Sequence, residues 1–178
     1  MSHIWYRAVE KFDTDHPGWG KYLEFSKLNQ VTELITLDAI LCATLTSNLL
    51  QTDWDFVIQE DYLTSCFTDL DYLVARTIAF EKKHLLAVIR SPEKEEKERA
   101  IENGKFVGYD LIEQETGISA LTNCGGYPES FKNGELNQHG LLPTYVRAKE
   151  VQKSLWEYNP EDPHADTIMW AIWKLEMK

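Results

Sequence analysis

The sequence predicts an α+β fold, with a helical N-terminal half and a mostly antiparallel sheet of about four strands. Three observations carry that expectation. Apolar residues recur at helical spacing in the first half, among them Trp19, Tyr22, Leu23 and Leu28. Beyond residue 83 the apolar runs are short or alternating, as strands require. No internal repeat and no Pro- or Gly-rich linker divides the chain.

Asp15-His16-Pro17 reads as a helix start, with a capping acid and Pro in the first turn. Val31, Leu34, Ile35 and the run to Leu50 are expected to add helix. Thr68-Asp69-Leu70-Asp71 has the form of a capping box, with Tyr72, Leu73, Arg76 and Ile78 following at helical spacing. His84 to Arg90 is almost wholly apolar, so an interior strand is expected near 84–90. The mixed-charge stretch from Ser91 to Gly104 reads as a hydrated connection.

Val107, Tyr109 and Leu111 alternate within a strand expected at 105–113. The turn at Gln114–Gly117 should then lead into a hairpin partner at 118–123. Pro143 opens the clearest helix, 143–158, on a stripe of Tyr145, Val146, Ala148, Val151 and Leu155. Asn159-Pro160 and Pro163 stop it. The last strand, 167–176, is apolar on both faces and belongs in mid-sheet, beside 84–90 or the hairpin.

A chain of 178 residues that is 43% hydrophobic and 12% aromatic can bury one core, so residues 1–178 are expected to form a single globular domain rather than two small lobes. Its three cysteines are widely spaced with no CxxC, which fits a reducing compartment. The N-terminus lacks the pattern of a signal peptide. The apolar run from Leu34 to Leu50 is interrupted by Asp38 and Asn48, so it reads as buried rather than membrane-spanning. A cytoplasmic location is the expectation.

Charge is the most uneven property. Between Leu28 and Ala75 there is no Lys or Arg, while Glu33, Asp38, Asp53, Asp55, Glu60, Asp61, Asp69 and Asp71 contribute −8 of a net −11. Such a balance disfavours nucleic acid and anionic membranes, whose binding needs cations to displace counterions. It suits a basic protein partner. Asp53, Trp54, Asp55, Glu60, Asp61, Tyr62, Asp69 and Asp71 are the expected contact residues, with Trp54 and Tyr62 as aromatic anchors. The first functional expectation is a non-enzymatic inhibitor of a basic nuclease or toxin, akin to small acidic immunity proteins in charge and size only.

The competing expectation is a small hydrolase or transferase. Cys124 precedes Gly125-Gly126, whose small residues would let a substrate approach the backbone, and His164 and Asp166 lie just before the last strand. In this reading Cys124 is the nucleophile, His164 its base and Asp166 the carboxylate that orients His164. No phosphate-binding glycine motif and no metal-ligand spacing of His or Cys occurs, so no cofactor and no metal is expected. The pairs Asp53/Asp55 and Asp69/Asp71 would share an ion only in loop geometry, because i and i+2 diverge on a helix.

Overall fold

A computed structural model of the chain describes residues 3–58, 66–123, 129–162 and 164–177. Its centre is one six-stranded antiparallel sheet. The strands are β1 (Trp5–Glu10), β2 (Val57–Ile58), β3 (Cys66–Phe67), β4 (Lys83–Arg90), β5 (Gly104–Glu113) and β6 (Thr167–Leu175), in the order β2-β3-β1-β4-β6-β5. Among the described residues three α-helices accompany them: α1 (Gly18–Ser26), α2 (Leu70–Arg76) and α3 (Tyr145–Tyr158). The apolar last strand does sit inside the sheet, between β4 and β5.

Strand pairing sorts the side chains onto two different faces. Tyr6, Ala87, Trp173, Phe106 and Tyr109 share one face. There Phe106 meets the rings of Tyr109 and Trp173 at 5.2 and 5.1 Å, and α3 covers them with Ala148, Val151 and Leu155 buried. Thr144 caps α3 by accepting from the Arg147 N–H. The short α2 lies toward β1, and Tyr72 stacks on Phe56 and Phe67.

The opposite face carries Arg7, His84, Leu86, Ile172, Lys174 and Asp110. Irregular chain covers it. Residues 28–42 run against 138–139, through Thr32 and Glu33 N–H to the Gln138 carbonyl and Ile35 N–H to the His139 carbonyl. Gly108 sits at a register shift in β5 with φ +140°, and a Cβ there would stand 2.7 Å from Leu141 Cβ. Glycine is required where that cover approaches the strand.

Four expectations need correction. The N-terminal half is not predominantly helical: it contains β1, β2, β3 and two short helices, and 31–50 forms no α-helix. Its backbone is satisfied elsewhere, for example by the Asp38 carboxylate, which accepts from Ile40 and Leu41 N–H. The segment 118–123 is no strand; only the bridge Ile112↔Ser119 forms, because Ser119 and Asn123 are committed to buried carboxylates. Pro17 is the N-cap of α1 rather than a first-turn residue, and the His16 ring, not Asp15, accepts from Gly18 N–H. Asp69, not Thr68, caps α2, accepting from Tyr72 N–H at 2.8 Å.

Candidate functional site

The acidic interval divides according to where each carboxylate finds its donors. Asp53 is fully buried, so it does not belong to an exposed contact face. Its oxygens accept from Leu50 N–H at 2.7 Å, Tyr72 Oη at 2.7 Å and Arg76 Nε at 3.1 Å. Burial opposes its ionisation, yet these donors together hold the carboxyl below the usual range. Asp53 therefore ties the 51–53 turn to α2.

Asp55, Asp69 and Asp71 remain exposed. The ladder pairs Val57 with Phe67, and Thr68 N–H donates to the Phe56 carbonyl. Asp55 precedes Phe56 and Asp69 follows Thr68, so the two carboxylates flank that hydrogen-bonded pair. Asp71 follows in the first turn of α2, where a negative charge is favoured by the helix dipole. Beside them Trp54 is 56% exposed, while its neighbour Phe56 packs on Tyr72. Three carboxylates and an exposed indole thus share one corner at the β2 end of the sheet. Glu60, Asp61 and Tyr62 lie outside the described residues.

Two further acids are spent in the interior. Asp38 accepts from Ile40 and Leu41 N–H on one oxygen, and from Ser119 N–H and the Asn123 amide on the other. Asp110 accepts from Thr36 Oγ1, Leu37 N–H, Leu111 N–H and Ser119 Oγ, and burial pushes its carboxyl up. Ser119 joins the two through its N–H and its hydroxyl. Arg7, 3% exposed, lies within electrostatic reach of both, although its hydrogen bond goes to Thr44. This network fastens the irregular cover to β5 and leaves neither carboxylate an open lone pair for a ligand.

Glu33 is the centre of a third group. Lys174 Nζ contacts both its oxygens at 2.7 and 2.9 Å, with His139 Nδ1 at 3.5 Å and His84 Nε2 and Lys11 Nζ at 3.9 Å. Burial alone would raise the Glu33 carboxyl, but the Lys174 ammonium holds it low. Burial pushes His84 down to about 4 and lowers His139 as well, so both rings are neutral at pH 7. Among the described residues, no three His, Cys, Asp or Glu side chains are placed to hold a metal ion.

The residues of the competing reading are only partly brought together. The Asp166 carboxylate accepts from Gln114 Nε2 at 2.7 Å and does not orient His164. The carboxylate against His164 Nδ1 is Glu113, which also accepts from the Thr116 hydroxyl. Burial raises Glu113 and lowers His164. Cys124 lies outside the described residues, so its relation to His164 is not part of this geometry.

Sequence reading missed Arg7, Asp110 and Glu113. Each is a charged residue inside an apolar or aromatic strand, and Asp110 between Tyr109 and Leu111 carries the readable signal: an ionisable group in a strand expected to be buried. Comparison with family models, with curated proteins and with solved structures finds no match. No helix among the described residues is long and apolar enough to cross a membrane.

Proposed function

We propose that this protein is a non-enzymatic binding protein that engages a basic protein partner through Trp54, Asp55, Asp69 and Asp71. One observation supports the reading above the others: an indole 56% exposed beside three exposed carboxylates, none of which forms an ion pair among the described residues. An aromatic anchor supplies contact area and the carboxylates supply steering and register. An inhibitor of a basic nuclease or toxin is the concrete form of the proposal. A like-charged polyanion is repelled by the same corner.

The test is capture from the native host extract on the immobilised chain, eluted with a salt gradient. A second column carries Trp54→Ala/Asp55→Asn/Asp69→Asn/Asp71→Asn, in which Asn keeps the α2 cap. One basic protein held by the first column and lost from the second is expected. Equal retention on both columns removes the corner from the account.

The Glu113–His164 contact favours a second reading, in which Cys124 is a nucleophile and His164 its base. Burial pushes the Cys42 thiol up to about 12 and raises Cys66, so both react slowly with iodoacetamide. Fast alkylation of Cys124 alone at pH 7 supports this reading; three equally slow thiols end it.

A further inference from the structure

A groove of about 470 Å³ runs between α3 and the approach to β6, lined by Lys149, Gln152, Lys153, Trp156, Asp166 and Thr167. Lys149, Lys153 and Trp156 follow one another at i, i+4 and i+7 and so share one flank of the helix. Gln152 Nε2 donates to the Thr167 carbonyl at 2.7 Å and fixes that flank against the floor. Two lysine side chains and an indole 54% exposed therefore line the same concavity, in a chain of net −11.

The remaining polar groups sharpen this picture. Asp166, the acid of the lining, is turned to Gln114 Nε2 at 2.7 Å. Thr167 is 7% exposed, and its hydroxyl is buried below the groove floor with no hydrogen-bond partner among the described residues. Lys149 reaches only Gln152 Oε1 at 3.5 Å, and Lys153 meets Glu157 at 3.5 Å with both side chains largely exposed. Exposed contacts of that kind are exchanged at little cost.

We propose that this groove binds a small molecule carrying a flat ring and an anionic group. The ring lies against Trp156 and the anion between Lys149 and Lys153. The volume suits a ligand of this size, since small-molecule sites span roughly 300–1,000 Å³. The site is separate from the acidic corner in sequence and opposite to it in charge, so it stands whether or not that corner has a partner.

The experiment is a two-dimensional NMR titration of the full chain with adenosine 5′-monophosphate and with 2-naphthoate, using adenosine and inorganic phosphate as the separate halves. Saturable shifts of the Trp156 indole N–H and the Thr167 amide are expected with one or both joined probes. Each half alone should bind about tenfold more weakly, as should Lys149→Gln/Lys153→Gln with the joined probe, a loss of about 1.4 kcal/mol. Trp156→Leu, an exposed substitution that leaves the fold in place, should show a similar loss. No saturable shift with either joined probe overturns the proposal. So does binding that phosphate alone matches, or that all three substitutions leave unchanged.

Discussion

The inward acids Glu33, Asp38 and Asp53 and the outward acids Asp55, Asp69 and Asp71 come from one uninterrupted acidic interval, yet they do opposite work. Asp38 and Asp53 are fully buried and saturated by hydrogen-bond donors, and Glu33 is paired with Lys174. The outward three meet solvent beside Trp54. A run of like charge in sequence is thus not a run of like surface. What separates the two sets is the supply of donors within reach, because a buried carboxylate survives only when its lone pairs are filled.

The largest test of that contrast is Asp38→Ala. It strands Ile40, Leu41 and Ser119 N–H and the Asn123 amide beneath the cover, at a cost of about 3–5 kcal/mol in urea unfolding. A loss below about 1 kcal/mol would mean that these donors find water instead, and the inward set would lose its structural role.

The pH dependence comes next. His84 has its folded pKa lowered, to about 4, so between there and its ordinary value the unfolded chain binds more protons. Stability from this group is complete above pH 6.5 and falls as pH drops toward 4, by up to about 3 kcal/mol. His139 is lowered also and adds in the same direction. His84→Gln should flatten most of that slope in melts taken at stepped pH; an unchanged slope places the acid sensitivity elsewhere.

Effects at the corner should be small. Asp69→Ala removes the α2 cap and costs about 1 kcal/mol, Asp69→Asn a few tenths, and Asp55→Asn stays within about 0.5 kcal/mol. A larger loss at Asp55 in thermal denaturation would move it to the inward set.

Several elements were legible because burial wrote them plainly. The apolar run at 84–90, the alternation in 105–113, the closing run at 167–176 and the helix after Pro143 all fall within about two residues of β4, β5, β6 and α3. The first half was not legible in this way. β1 hides Arg7 among aromatic residues, and β2 and β3 are two residues each. Apolar spacing from Val31 to Leu50 reads as helix, but Thr36 and Asp38 divert the backbone into side-chain hydrogen bonds. Of the candidate contact residues, Trp54, Asp55, Asp69 and Asp71 are exposed, whereas Asp53 turns inward because Arg76, Tyr72 and Leu50 N–H lie around it. Residue type could not reveal those donors, since two of them, Tyr72 and Arg76, arrive from α2.

The most direct measurement is the association rate of the captured basic partner with the wild-type chain and with Trp54→Ala/Asp55→Asn/Asp69→Asn/Asp71→Asn, taken across ionic strength, with the urea midpoint of each chain recorded alongside. The account predicts a wild-type rate that falls about tenfold or more from 0.01 M to 0.15 M salt, and a slow, nearly salt-independent rate in the variant at an almost unchanged midpoint. Equal rates and equal salt slopes for the two chains would contradict it.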